Sequence, residues 1–268
     1  MIGKIPTCPA RLLTAVLAIG GLLAIGSGAA SAMTPTVVYS NTNTVSATVN
    51  GFPNQDTFSL DSENFPIGGM VEFSPRPGTL KSLTTQVDSF TCEHGVYSLE
   101  NCLTLHPTKK FHYQMTASVY EVGPHNEALG SPIATSTETL KLPFRPTTDT
   151  TCPATVEGKG FAPNCDVGGV LATVTFKKFT PAAVLPEKAI ILLNSTSENS
   201  PSDIVNVGLQ ASYKEFKNGE FVEEPAADGG VPSVGSDPLP EAIFTQGLLN
   251  AGSDWQGYQP VFSVLAVQ

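Results

Sequence analysis

Basic residues are scarce in this chain: 14 Lys and Arg stand against 24 Asp and Glu, a formal charge of −10. A surface of that sign repels nucleic acid and anionic lipid, so neither is expected as a partner. Charged residues of both signs amount to only 14%, yet 41% of the chain is hydrophobic, which excludes the disordered class. Helical periodicity is missing too. After the first thirty or so residues, no stretch repeats apolar side chains at i, i+3, i+4 and i+7 over three turns. At most one short helical turn follows Pro240 in PLPEAIFTQGLL. The short catalytic signatures are also absent: neither G-x-S-x-G nor H-E-x-x-H occurs. With no sortase-type L-P-x-T-G, lipobox or apolar C-terminal tail, neither covalent anchoring nor membrane insertion is expected.

What is present begins with a leader. MIGKIPTCPAR carries Lys4 and Arg11 and no acid, and LLTAVLAIGGLLAIG runs apolar from Leu12 to Gly26. Ala30, Ser31 and Ala32 then supply the small residues a signal peptidase needs. That order predicts a signal peptide over residues 1–32, cleaved after Ala32. The apolar run is too short for a membrane span, which takes roughly 20 residues. Residues 33–268 are expected to form a single secreted, extracellular domain. Its formal charge goes from −10 to −12 as Lys4 and Arg11 leave.

Export decides how the cysteines are read. Without Cys8, four remain: Cys92, Cys102, Cys152 and Cys165. An even number outside the cytoplasm predicts disulfides. Local pairing, Cys92 with Cys102 and Cys152 with Cys165, is favoured because each pair brackets a loop rich in glycine, proline and polar residues. Closing such a loop contributes about 3 kcal/mol in the chain-entropy picture. In TCEHGVYSLENCLTLH, Cys92, His94, Cys102 and His106 could be taken for zinc ligands. One residue between the first two ligands fits none of the common finger spacings, so no metal is expected.

Between these landmarks the pattern has period two. In HYQMTASVYEV, Tyr113, Met115, Ala117 and Val119 face one way and His112, Gln114, Thr116 and Ser118 the other. VLATVTF (170–176), VNVGLQASY (205–213) and LKSLTTQVDSF (80–90) alternate likewise, and KAIILLN (188–194) reads as a central strand covered on both faces. With TPTVVYS, GMVEFS, IATSTETLKL and QPVFSVLAV, about ten strands predict an all-β fold, a two-sheet β-sandwich or jelly roll stapled by two local disulfides. EEPAADGGVPSVGSDPLP (223–240) reads as a surface loop.

Candidate chemistry is sparse. His94, His106 and His125 fall in loops and His112 on a polar strand face, where solvated side chains are expected. Asp56, Asp61 and Glu63 could join a calcium site, but their spacing misses the EF-hand pattern. Gly158 and Gly160 in EGKGFAPNC lack the helix that a phosphate loop requires and read as turn residues. Asn194-Ser195-Thr196 is a formal glycosylation sequon. GSDWQGYQP holds the single tryptophan: Trp255 and Tyr258 offer aromatic faces to sugar rings, with Asp254 and Gln256 beside them to bond hydroxyls. The alternative is that Trp255 plugs one end of the core.

Several segments carry a resemblance: VVYSN, LKSLTTQVDSFTC, the cysteines closing EHGVYSLEN, LPFRPTTDTTC, VLPEKAIILLNST, VNVGLQ and PSVGSDPLPEAIF, in that order. Together they resemble a group of secreted bacterial proteins frequent in actinobacteria, over most of residues 36–246. Phe90 stands where such proteins often show tryptophan. The resemblance implies an exported β-fold and agrees with local cysteine pairing. It carries no catalytic residues, since no activity is established for the group.

The function expected is that of a secreted, non-catalytic binding or interaction protein needing no cofactor. Glycan, cell-wall polysaccharide or other cell-surface material is the ligand class, and Trp255, Tyr258, Asp254 and Gln256 are the binding residues. The alternatives are an extracellular structural protein and a secreted hydrolase with dispersed catalytic residues.

Overall fold

Alternating side chains build two antiparallel sheets that pack against each other. A computed structural model describes the chain from Met33 to Gln268, which forms one compact unit. Excepted are residues 43–47, 50–51, 54, 60–65, 75–76, 156–157, 162–164, 166–167, 197–198, 200–202, 212–213, 218–219, 224–231, 240–242, 246–247 and 251–257. Within 48–59, 154–159, 210–223, 243–250 and 258–259 it describes strand backbone alone.

The first sheet has seven strands: β1 (Thr36–Ser40), β4 (Gln55–Ser59), β6 (Thr79–Ser89), β11 (Val170–Phe176), β13 (Val205–Ala211), β18 (Tyr258–Pro260) and β19 (Phe262–Val267). Their order is β1-β19-β6-β13-β18, with β11 also on β6 and β4 also on β13. The second has six: β5 (Ile67–Glu72), β7 (Lys110–Val122), β8 (Ala128–Pro143), β12 (Lys188–Ser195), β16 (Ile243–Thr245) and β17 (Leu248–Asn250), in the order β17-β16-β5-β12-β7-β8. Three small ribbons pair β2 (Thr48–Val49) with β3 (Phe52–Pro53), β9 (Ala154–Thr155) with β10 (Gly158–Lys159), and β14 (Lys214–Lys217) with β15 (Glu220–Glu223). Both disulfides form as the loop composition suggests, Cys92–Cys102 and Cys152–Cys165.

The inward faces make one core. Tyr113, Met115, Ala117 and Val119 of β7 are buried with Ile191 and Leu193 of β12, and across from them lie Leu83 and Val87 of β6, Val207 and Leu209 of β13 and Phe262 of β19. Each such large side chain contributes roughly 1.5–3 kcal/mol by leaving water. In β6 the alternation slips, and Leu80 and Leu83, three apart, are both buried. A register shift against β19 between Leu265 and Ala266 absorbs the extra residue. β12 is covered on both faces: Ala189, Ile191 and Leu193 enter the core, while Ile190 and Leu192 join Met70 in a second cluster outside it. Just past the end of β1 an asparagine extends the pairing. Asn41, fully buried, donates Nδ2–H to the Pro260 carbonyl and accepts from the Phe262 N–H.

Part of the expected surface loop proves to be a strap. Val234 pairs with Ser40 of β1 and Ser236 with Glu72 of β5, so residues 232–239 reach from one sheet to the other. Gly235, between them, has φ +77°, and a Cβ there would meet the Glu72 carbonyl oxygen at 2.4 Å. Only glycine fits both constraints. Beyond Pro240, Ile243–Thr245 is strand, not helical turn, because it adds to the edge of β5.

Candidate functional site

Of the residues expected to bind ligand, Asp254, Trp255 and Gln256 lie outside the described residues. Tyr258 opens β18 opposite Ala211, with its backbone alone described. Asp61 and Glu63 also lie outside, and Asp56 sits opposite Leu209 in β4, again as backbone. Among the described residues no three His, Cys, Asp or Glu side chains gather as a metal site would need. Asn194 of the sequon occupies a strand position opposite Thr116.

Sequence reasoning missed the role of Arg145, which is 1% exposed. Its guanidinium carbon lies 5.1 Å from the ring centroid of Tyr97 and 4.9 Å from that of Phe161. Nε donates to the Gly168 carbonyl at 3.0 Å and Nη1 to Thr148 Oγ1 at 3.4 Å. Tyr97 belongs to the loop closed by Cys92–Cys102 and Phe161 to the loop closed by Cys152–Cys165. The two stapled loops therefore converge on one cation. This is a structural hub, and the planar, donor-rich guanidinium is suited to it.

The first loop holds a second polar centre. His106 Nδ1 and Lys109 Nζ reach Glu93 Oε1 at 2.7 and 3.2 Å, and the N–H groups of Leu105 and His106 donate to Oε2, each at 2.9 Å. Withdrawal from water would raise this carboxyl, but the bonds from His106 and Lys109 outweigh it and bring it down to about 2. Glu93 thus ties the chain between Cys92 and Lys109 into a fixed ribbon, with His94 paired to Leu103.

Asp237, on the strap, behaves oppositely. Burial pushes its carboxyl up to about 7, although the Leu239 N–H donates to Oδ1 at 2.9 Å and opposes the shift. Nearby Tyr39, 1% exposed, has its phenol driven far up by burial and then by the charge of Asp237.

An open cavity of about 390 Å³ lies on the outer face of the six-stranded sheet. Strand pairing explains its composition. Thr116, Ser118 and Tyr120 point outward from β7, and Asn194, Leu192 and Ile190 stand opposite them on β12. Of these, Thr116, Ser118, Tyr120, Leu192 and Asn194 line the cavity, with Pro66, Ser195 and Thr196 completing it. Among the described residues, none that lines the cavity is Asp, Glu, Lys, Arg or His. Asn194 Oδ1 is out of solvent and has no hydrogen-bond partner among the described residues. The neighbouring groups are held in place: Thr196 Oγ1 donates to Gln114 Oε1 at 2.8 Å, and the Asn199 amide pairs with both backbone groups of Gln114. The volume falls within the roughly 300–1,000 Å³ of ligand sites. Hydroxyls, a carboxamide, one phenol ring and one leucine can exchange hydrogen bonds with a polyol and cover an apolar ring face.

The chain matches no family model, no curated protein and no solved structure. Two disulfides fit an extracellular protein, and among the described residues no helix is long and apolar enough to cross a membrane.

Proposed function

We propose that this is a secreted, non-catalytic binding protein that takes a neutral saccharide, free or within cell-wall polysaccharide, into the cavity between β7 and β12. The observation that carries the reading is the lining: Thr116, Ser118 and Asn194 beside Tyr120 and Leu192, with no charged residue among the described ones. Sugars present hydroxyls around an apolar C–H face, and this set offers hydroxyl and amide partners beside an aromatic ring. Asn194 Oδ1, buried and unpaired among the described residues, gains an acceptor's hydrogen bond when a ligand hydroxyl arrives. The leader over residues 1–32 supports export, and the formal charge of −10 disfavours anionic polymers. The segment that carries Asp254, Trp255, Gln256 and Tyr258 in sequence is proposed as a second contact for an extended chain.

The test is depletion of the protein from solution by insoluble polysaccharides and peptidoglycan. Retention on at least one of them is expected, weakened about fivefold by Asn194→Ala through loss of one hydrogen bond. Equal retention of wild type and Asn194→Ala, or none on any material, contradicts the reading.

A further inference from the structure

The strap has a consequence for the cavity, because the two share an apolar patch. Leu239, at the end of the strap, packs on the cluster of Met70, Ile190 and Leu192, as does Tyr120. Leu192 and Tyr120 also line the cavity. The other end is fastened by Ser40 to Val234 and Glu72 to Ser236 backbone pairs. Asp237 sits between the fastening and the anchor, partly buried, with its Oδ1 turned back onto the Leu239 N–H.

We infer that residues 232–239 form a pH-sensitive strap, seated while Asp237 is protonated and loosened when it ionises, whose Leu239 end sets the apolar wall of the cavity. The inference rests on reading that cavity as the ligand site, and makes ligand capture dependent on pH. No other residue of the strap titrates. The titratable groups on the elements it packs against are Tyr39 on β1, Glu72 on β5 and, one strand further, Lys188 on β12. Tyr39 keeps its proton across the range, held by burial. Glu72 Oε2 accepts from Ser236 Oγ at 2.5 Å, and Oε1 lies 3.9 Å from Lys188 Nζ. Both its oxygens are therefore engaged, by the strap and by β12, and among the described residues Asp237 is the group assigned to the switch.

The sign follows from the burial. A carboxyl held at about 7 in the seated strap and near 3.9 once exposed favours seating fully below about pH 4 and loses that advantage as pH rises to 7. Between pH 6 and 8 the ratio of loosened to seated strap should rise about tenfold.

The experiment is amide hydrogen exchange of the whole protein without ligand at pH 6 and 8, corrected for the intrinsic rate. The reporters are the Ser40, Glu72 and Ser236 amides, all bonded across the strap. Their protection should fall about tenfold at pH 8 in wild type and stay level in Asp237→Asn and Asp237→Ser. In carbon-13 methyl spectra the Leu192 signals should move with the same midpoint, and in Leu239→Ala they should stop moving while the strap amides still respond. Level protection in wild type, a pH response surviving in both Asp237 variants, or static Leu192 methyls would each overturn the inference. Saccharide retention is scored separately. Binding with a pH-independent strap removes the strap alone, whereas a responding strap with no saccharide retained removes the ligand reading.

Discussion

The guanidinium carbon of Arg145 lies 4.9 Å from the ring centroid of Phe161, a residue inside the Cys152–Cys165 loop. Tyr97, inside the other stapled loop, meets the same guanidinium at 5.1 Å. Arg145→Ala removes both ring contacts and leaves a void between the loops, so a loss of about 3 kcal/mol is expected in denaturant unfolding. Arg145→Lys keeps the charge but not the planar fork, and should recover less than half of that.

Because both loops hold one cation, their contributions are coupled. Removing either cysteine pair as serines should cost about 3 kcal/mol in wild type. In the Arg145→Ala background the same replacement should cost less, because the ring on the freed loop no longer has a partner to lose. Double-mutant cycles read the difference. Strict additivity for both pairs would show that the loops are independent.

Gly235 tests the strap from the backbone side. Gly235→Ala places a methyl group 2.4 Å from the Glu72 carbonyl oxygen at a φ of +77°. Seating should be lost at a cost of about 1–3 kcal/mol, seen as lower protection of the Ser236 and Glu72 amides with the core amides of β7 unchanged.

The acid side belongs to Glu93. Its carboxyl, held down at about 2 by bonds to His106 and Lys109, supports the ribbon fully above its ordinary value near 4.3. That support is lost as pH falls through about 2. The Leu105 and His106 amides should therefore lose protection between pH 4 and 2, and Glu93→Gln should show reduced protection already at pH 7.

Much of the scaffold was legible in the sequence. The alternation Tyr113, Met115, Ala117, Val119 maps onto the buried face of β7, and VLATVTF coincides with β11. Both signals arise from burial on one side of a pleat, which a single strand displays alone. The cysteine pairs were legible because each bond closes a short local loop. The cavity was not, because Thr116, Ser118 and Asn194 each look like ordinary outward polar residues until strand pairing sets β7 against β12. Arg145 reads as one residue of a turn-rich segment, and its partners come from two distant loops. The strap escaped for another reason: it joins the sheets through two single bridges around Gly235, and so shows no alternation to read.

The loop expected from sequence to bind sugar can be judged with one variant. Trp255→Ala should weaken polysaccharide retention by about 1–3 kcal/mol while leaving the melting temperature unchanged. A large fall in melting temperature without loss of retention would make Trp255 a core residue.

The central claim is that a neutral saccharide enters the cavity between β7 and β12. Nuclear magnetic resonance titration of the whole protein with soluble neutral oligosaccharides tests it most directly, following the Asn194 side-chain amide and the Tyr120 ring. Saturable shifts of both, with backbone shifts centred on Thr116, Ser118 and Asn194, are the expected result, and in Tyr120→Ala the Asn194 shift should shrink. Shifts confined to other surfaces, or no shift with any neutral oligosaccharide, would contradict it.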